Sequence, residues 1–298
     1  MSHTRSSATR PVTPPLLERT LGRLEDASSL DPVADAVQPV ADRLTRARTT
    51  AAVLHGAIVG HPLHPVLVQA TLGLLLSATT LDVLGRPEDE PAARTLVGLG
   101  LLSATPTAVA GLADWGDGHE QQKRVGVVHA ATNVAGLMLY GVSFARRRRG
   151  GGRASSLIGL AMLTGGAYLG AHLSFRQALG ANHVEHVPHR APAEWTRLCA
   201  FADLPDGEPT QQLLGDQPLL VLRQGSDVHV LSDVCSHLSG PLHEGEITDD
   251  GCVVCPWHGS TFRLDDGAVV RSPATAPVPV FEVRRDGSDV LVRLPGAG

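Results

Sequence analysis

Four long apolar stretches precede the C-terminal third of the chain, and they restrict its fold more than any other feature. They cover residues 66–84, 95–113, 125–145 and 154–175 and are rich in Leu, Val, Ala, Gly and Thr. A helix needs about 20 apolar residues to cross a bilayer, and each stretch approaches that length. Lipid leaves backbone polar groups no outside partner, so such stretches form helices. The pattern predicts a four-helix transmembrane bundle, with a soluble bundle of buried helices as the alternative.

Composition narrows the classes of partner. The chain has 298 residues, which is enough for about two domains, and a net charge of −5. Its Lys and Arg residues form no broad basic face, so no nucleic-acid partner is expected. It has four cysteines, too few to require a disulfide framework. Cys199 and Cys252 are expected to be inert buried thiols, with a disulfide between them as the alternative.

The first part of the chain is polar. Residues 1–15 are rich in Ser, Thr and Pro and lack apolar periodicity, so we expect them to be disordered. Residues 16–24 have the pattern of a short helix. Asp31 followed by Pro32 predicts an N-cap and the first position of a second helix.

Two short loops near the C-terminus carry one cysteine and one histidine each: Cys235 with His237, and Cys255 with His258. Thiolates and imidazoles suit iron–sulfur or zinc chemistry. Two Cys and two His are the set that a [2Fe–2S] centre needs when one iron takes nitrogen ligands. A Cys2His2 zinc site uses the same ligand types and is the alternative, although zinc fingers usually pair Cys with Cys and His with His.

The last hundred residues read as short β-prone segments. Asp250-Gly251, Asp266-Gly267 and Asp286-Gly287 each separate two such segments, as tight hairpin turns do, and residues 224–227 indicate a further hairpin. The fold class is therefore α+β multidomain, with a four-helix transmembrane bundle followed by a small antiparallel all-β domain. The expected divisions are a polar or amphipathic tail at 1–50, a membrane module at 51–185 and the β domain at 190–298.

The loops Cys235-Ser236-His237 and Cys255-Pro256-Trp257-His258-Gly259 resemble the Rieske iron–sulfur family. The resemblance implies that the two cysteines hold an inner iron and the two histidines an outer one. It also implies that Leu238, Trp257 and Ser260 surround the cluster. High-potential members carry an extra cysteine in each loop, which this chain lacks, so we expect a ferredoxin-type motif of low to intermediate potential. The implied role is one-electron transfer within an oxidoreductase system, and no catalytic residue is assigned.

A second resemblance covers roughly residues 45–185. Gly60-His61-Pro62-Leu63-His64-Pro65 and the stretches 128–133 and 169–173 are similar to a four-helix bacterial membrane family known as DUF2231. That family is sometimes fused to a Rieske domain. The resemblance implies a membrane module and no established activity.

Four crossings place several histidines on the side of the membrane that carries the β domain. These candidates are His61, His64, His129 and His172. They are either polar residues at the membrane boundary, ligands of haem b or a transition metal, or hydrogen-bond partners of a quinone.

The expected location is the cell membrane, with several crossings. The arginines at 146–149 and those at 43–48 argue for opposite orientations in the membrane. The sequence therefore does not determine which side of the membrane the β domain faces. Expected partners are the lipid bilayer and either a protein redox donor and acceptor or a quinone. Two alternative functions are a quinone- or haem-linked membrane redox enzyme and a redox-sensing membrane protein.

Overall fold

The structure is a computed structural model, and it describes residues 15–294. Its first part is helical. The helices are α1 (Pro15–Glu25), α2 (Asp31–Thr45), α3 (Arg48–Leu54), α4 (Leu63–Leu84), α5 (Glu90–Gly116), α6 (Glu120–Arg147), α7 (Arg153–Ala171) and α8 (Val187–Arg190).

The four predicted long helices are confirmed. The segments Leu63–Leu84, Pro87–Gly116, Glu120–Arg147 and Arg153–Arg176 are each long and apolar enough to cross a membrane. The first extends beyond its predicted apolar stretch at the N-terminal end alone, and the other three extend at both ends. Pro106 lies inside α5 without ending it, which neighbouring helices in a bundle make tolerable.

The bundle consists of two helical hairpins, α4 with α5 and α6 with α7. Leu75, Val97, Tyr140 and Leu163 form its buried core. α6 and α7 approach closely at glycines: a Cβ on Gly136 would lie 2.9 Å from the Leu163 side chain. Small residues at such crossings let two backbones pack tightly in a membrane.

A buried ion pair closes the end of the bundle that is remote from the β domain. Arg147 lies 2.6 Å from Asp82 and 3.0 Å from Glu90, and the Arg147 and Asp82 side chains are 0% and 1% exposed. The charges lie where three helices end or begin, so the pair joins α6 to α4 and α5.

The short N-terminal helices lie against the bundle. The helix predicted over residues 16–24 is confirmed as α1, and residues 1–14 lie outside the described part of the chain. The assignment of Asp31 as an N-cap was wrong, because Asp31 is already within α2. Its carboxylate accepts hydrogen bonds from Arg124 of α6, at 2.7 Å from Nε, so a distant charge displaces the local capping interaction.

The second part of the chain is an antiparallel all-β domain. Its strands are β1 (Thr196–Ala200), β2 (Pro209–Leu214), β3 (Gln217–Gln224), β4 (Asp227–Ser232), β5 (Glu246–Thr248), β6 (Cys252–Val254), β7 (Thr261–Arg263), β8 (Val269–Arg271), β9 (Glu282–Asp286) and β10 (Asp289–Arg293). They form three sheets, in the orders β1-β10-β9, β2-β3-β4 and β5-β6-β7-β8.

All four predicted hairpin turns are confirmed. They join β3 to β4, β5 to β6, β7 to β8 and β9 to β10. The glycines at 225, 251, 267 and 287 have positive φ, the backbone state that a tight hairpin turn requires and that glycine adopts without strain. The two predicted ligand pairs lie on the loops that follow β4 and β6.

Candidate metal centre

The two ligand loops have the same backbone geometry. Cys235 N–H donates to the Gly240 carbonyl, and Ser239 N–H donates back to the Cys235 carbonyl; Cys255 makes the equivalent bonds with Ser260 and Gly259, all at 2.8–3.0 Å. Ser239 and Gly259 occupy equivalent positions with φ of 64° and 72°. Each loop is thereby closed by two backbone hydrogen bonds, which fixes the direction of its cysteine.

The two loops place their cysteines together on one side of the site and their histidines together on the other. The two cysteines are buried, at 1% and 2% exposed, and their thiols share a hydrogen bond. The rings of His237 and His258 lie together, with centroids 5.1 Å apart and planes at 87°. A thiol pair and an imidazole pair therefore face one another across the two loops.

One buried nitrogen lacks a partner at this site. His237 Nδ1 is buried and, within the described residues, has no hydrogen-bond partner. Its Nε2 faces outward, 3.8 Å from Asp117 Oδ2 in the turn between α5 and α6. A buried imidazole nitrogen without a partner is costly unless it binds a group from outside the chain. Nδ1 is thus the atom through which His237 could bind a metal.

Gly240 leaves room beside the thiols. A Cβ at this position would lie 2.7 Å from Cys255 Sγ and 3.2 Å from the Trp257 ring. A side chain there would occupy the space next to the sulfur. The loop therefore keeps the thiol side of the site clear.

The protonation states suit metal ligands. The hydrogen bond between the thiols lowers the pKa of Cys255 to about 6 and raises the pKa of Cys235, so one proton serves both sulfurs. Burial lowers the pKa of His237 and that of His258, and the charge of His258 adds to the effect at His237. Metals bind thiolates and neutral imidazoles. Cys255, His237 and His258 favour these forms, and Cys235 must release its proton when a metal binds.

The surrounding residues predicted from the sequence differ in exposure. Leu238 is 3% exposed and Ser260 is 0% exposed, and the Ser260 hydroxyl accepts the Ala274 N–H at 3.0 Å. Trp257 is 48% exposed and packs edge-on against His119, with ring centroids 5.7 Å apart. Leu238 and Ser260 are therefore buried within the Rieske domain, whereas Trp257 lies at the boundary with the helical part.

Sequence reasoning missed the contacts that the helical part makes with the site. His55 is buried, with Nδ1 3.0 Å from Asp114 and Nε2 3.6 Å from Asp117. Burial raises the pKa of Asp117 to about 6. No local pattern singles out these residues, because they become neighbours of His237 only when the domains pack together.

A second missed contact lies on the connection from α7 to β1. The backbone N–H of His183 donates to the Ser236 carbonyl at 3.1 Å, and the Nδ1 of His183 accepts the Ser239 hydroxyl at 2.8 Å. The connection therefore supports the first ligand loop directly. Asp233 supports the same loop from inside the domain, since it accepts the His243 N–H at 2.7 Å.

The four predicted histidines of the helical part lie in different environments in the structure. His61 is exposed, and buried His172 places Nε2 2.7 Å from Glu25. His64 and His129 each place Nδ1 against a backbone carbonyl of the next helix, Thr107 at 2.9 Å and Gly166 at 2.7 Å. These four residues therefore do not form one cluster.

The pairing of ligands distinguishes the candidate metals. A single zinc ion gathers three or four side chains around one point. Within residues 15–294, no three His, Cys, Asp or Glu side chains gather in that way. Two pairs instead suit a two-iron cluster, in which bridging sulfides complete the coordination of each iron. The residues present fit a [2Fe–2S] cluster.

Comparison with known proteins agrees with the geometry. Residues 194–282 match the family model of the Rieske [2Fe-2S] domain, and residues 60–187 match that of "Predicted membrane protein (DUF2231)". The 3-phenylpropionate/cinnamic acid dioxygenase ferredoxin subunit of Shigella boydii serotype 4 (strain Sb227) is 35% identical over 100 residues, which are 33% of this chain and 92% of that protein.

Two further relatives also match about a third of this chain. The anthranilate 1,2-dioxygenase ferredoxin subunit of Burkholderia cepacia is 37% identical over 92 residues, 31% of this chain and 84% of that protein. The solved ferredoxin of carbazole 1,9a-dioxygenase from Nocardioides aromaticivorans IC177 is 29% identical and covers 34% of this chain and 97% of its own, with a TM-score of 0.32.

The fold and the site define an electron-transfer iron–sulfur protein. The chain belongs to the Rieske [2Fe–2S] family, and a DUF2231 domain precedes its Rieske domain. The sequence-based prediction of this fusion is confirmed. All four cysteines are free and buried, so the structure does not contain the alternative disulfide between Cys199 and Cys252.

Proposed function

We propose that this protein is a membrane-anchored one-electron carrier whose [2Fe–2S] cluster is held by Cys235, Cys255, His237 and His258. The observation that carries the proposal is the buried Nδ1 of His237 without a partner, beside a shared thiol pair. When bound, such a cluster accepts and returns one electron at a potential set by its ligands and hydrogen bonds.

The chain's own residues set the conditions for that transfer. Cys235 and Cys255 occupy the buried side, where Leu238 and Ser260 exclude water. His237 and His258 occupy the side that faces the helical part, and their lowered pKa values keep them neutral as ligands. Loops closed by backbone hydrogen bonds hold both pairs in place before the cofactor binds.

The imidazole side is the expected exit for the electron. His237 Nε2 faces Asp117, and Trp257 beside His258 contacts His119 at the same boundary. The relatives are ferredoxin subunits of dioxygenases, and by analogy we propose a protein redox partner here. Because Trp257 is half-exposed, such a partner could approach the cluster at that ring while the helical part covers His237.

We further propose a location in the cell membrane, with α4 to α7 as four crossings. Their length and apolar composition support this. The proposed organisation keeps the tail at residues 1–50, the membrane module at 51–185 and the Rieske domain at 190–298. The lipid bilayer is then the partner of the exposed apolar side chains on the bundle, among them Leu102, Met138 and Ile158.

The ligand assignment is tested by His237→Ala and by His258→Ala. We expect each variant to lose the EPR signal of the dithionite-reduced [2Fe–2S] cluster, because one iron loses a ligand. His229→Ala is the matched control: His229 lies in the same domain and, among the described residues, pairs only with Asp265, at 3.6 Å. An unaltered signal in either ligand variant would show that the assignment is wrong.

The membrane assignment has its own measurement. Alkaline carbonate should leave the full chain in the membrane pellet. Reporter fusions after Gly298 and within residues 146–153 should report opposite sides, since α7 separates the two positions. Fusions that report the same side would rule out four crossings.

A further inference from the structure

The two hairpins of the bundle present the same histidine arrangement. In the first, His64 on α4 donates from Nδ1 to the carbonyl of Thr107 on α5; in the second, His129 on α6 donates to the carbonyl of Gly166 on α7. Each acceptor lies on the helix that follows in the chain. The two hairpins are therefore equivalent around these rings.

A glycine lies against each ring, one turn beyond the acceptor carbonyl. A Cβ on Gly111 would lie 2.7 Å from the His64 ring, and a Cβ on Gly170 would lie 3.0 Å from the His129 ring. Residues four apart on a helix share a face, so carbonyl and glycine face the ring together. Larger residues would displace both imidazoles, which indicates that the positions of the rings themselves matter.

The hydrogen bonds define which nitrogen is free. A ring that donates from Nδ1 carries its lone pair on Nε2, and this is the form in which an imidazole binds a metal. Within the described residues His64 forms no hydrogen bond through Nε2. The Asn133 amide nitrogen lies 3.4 Å from Nδ1 and 3.2 Å from Nε2 of His129. Because these distances are so similar, the amide lies over the ring and not along the Nε2 lone pair.

Both rings lie toward the Rieske end of the bundle. Asp117, which follows α5, faces His237, and His183, which follows α7, supports the first cluster loop. His64 lies in the first turn of α4, which begins at this end, and Gly166 and Gly170 lie in the last turns of α7, which ends here. α4 also contacts α7, and α5 contacts α6, so the two rings lie within one bundle.

We propose that His64 and His129 are the two axial ligands of a haem b iron. A bare metal ion takes three or four protein ligands, and no third His, Cys, Asp or Glu joins this pair among residues 15–294. A porphyrin supplies four nitrogens of its own, so two imidazoles complete its iron. His61, which is exposed, and His172, which is bound to Glu25, are not ligands.

The haem site extends the proposed electron transfer and rests on it for its role. One electron that leaves the reduced cluster, [2Fe–2S]⁺, restores [2Fe–2S]²⁺ and converts ferric haem to ferrous haem. No bond forms or breaks in this step. The cluster histidines and the pair His64 and His129 lie at the same end of the bundle. Electron transfer from the cluster to the haem requires this proximity.

The test uses the full chain, produced with a haem precursor and purified from membranes in mild detergent. We expect a low-spin haem spectrum, with about one haem per chain by the pyridine haemochrome assay. His64→Ala and His129→Ala should each lower that ratio by about tenfold or more, whereas His61→Ala should not lower it. A protein without haem, low-spin haem that survives both substitutions, or a bare metal ion bound in place of haem would each overturn the proposal.

Two further measurements distinguish loss of the haem site from misfolding of a variant and from loss of the iron–sulfur cluster. His129→Gly should regain the low-spin spectrum when imidazole is added, which a misfolded variant cannot do, and absence of this rescue would contradict axial ligation. Cys255→Ser should lose the cluster EPR signal and keep the haem spectrum. If haem binds and the cluster is absent from the unaltered chain, the proposed function fails while the haem site stands.

Discussion

The helical unit and the Rieske domain treat polar groups in opposite ways. The bundle buries charge: Arg147 and Asp82 are almost completely enclosed. The Rieske domain keeps its arginine–carboxylate pairs at the surface, where Arg293 and Glu282 are 40% and 42% exposed. Its buried carboxylate, Asp233, pairs with His243 and with no arginine among the described residues. In the proposed membrane location the bundle has no water to receive charges, so they must pair inside, whereas the β domain can leave the charges of its arginine pairs in solvent.

The same contrast extends to the histidine pairs. In the bundle, His64 and His129 use Nδ1 to bind a backbone carbonyl of the next helix and leave Nε2 free. In the Rieske domain, His237 leaves Nδ1 free and turns Nε2 toward Asp117. The bundle histidines therefore contact the protein through Nδ1, whereas His237 approaches the helical part through Nε2.

The largest expected effect tests the buried charge. Arg147→Met leaves Asp82 enclosed without a partner, and we expect a loss of about 3–5 kcal/mol of stability. Arg148→Met is the matched control, since the neighbouring Arg148 is exposed, and it should change stability by less than about 0.5 kcal/mol. Thermal unfolding in detergent measures both. Equal unfolding temperatures for the two variants would show that the buried charge of Arg147 does not stabilise the bundle.

An intermediate effect concerns the thiol side of the Rieske domain. Ser260 is fully buried and accepts the Ala274 N–H, which leaves its own hydroxyl hydrogen free to stabilise negative charge on a cluster. In Ser260→Ala the loss of about 1 kcal/mol from one hydrogen bond corresponds to a midpoint potential lower by about 40–60 mV for one electron.

A redox titration followed by EPR measures this potential. Ser226→Ala, at an exposed hairpin turn, is the control and should leave the potential unchanged. An unchanged or higher potential in Ser260→Ala would show that the hydroxyl does not stabilise the reduced cluster.

The smallest expected effect lies where the two regions join. Burial lowers the pKa of His183 below its usual 6.5, so the folded protein favours the neutral ring. The stability from this preference is fully present above pH 6.5, and it is lost as the pH falls through the lowered pKa. His183→Gln keeps a polar side chain but cannot titrate.

We therefore expect the stability of the unaltered protein to decrease on acidification by more than that of His183→Gln. Thermal unfolding of the cluster-loaded proteins between pH 7.5 and 5.5 makes the comparison. Parallel pH profiles for the two proteins would show that this contact does not couple the regions.

The sequence alone determined the elements of both regions. Apolar stretches predicted the four helices because a run of about 20 apolar residues is a local property of the chain. Asp-Gly pairs predicted the hairpins because a tight turn depends on the residues within it. The Cys and His positions indicated the cluster because each loop carries its ligands a few residues apart.

Only the tertiary structure decided which of these groups meet. Asp31 satisfies the pattern of an N-cap, yet Arg124 from α6 binds its carboxylate. Asp117 reaches His237, and Arg147 reaches Asp82, across long stretches of chain. The sequence proposed four histidines of equal standing, and packing gives His64 and His129 equivalent contacts with a carbonyl of the next helix. These outcomes depend on which helix faces which and on what burial leaves unpaired, and neither is a property of a short segment.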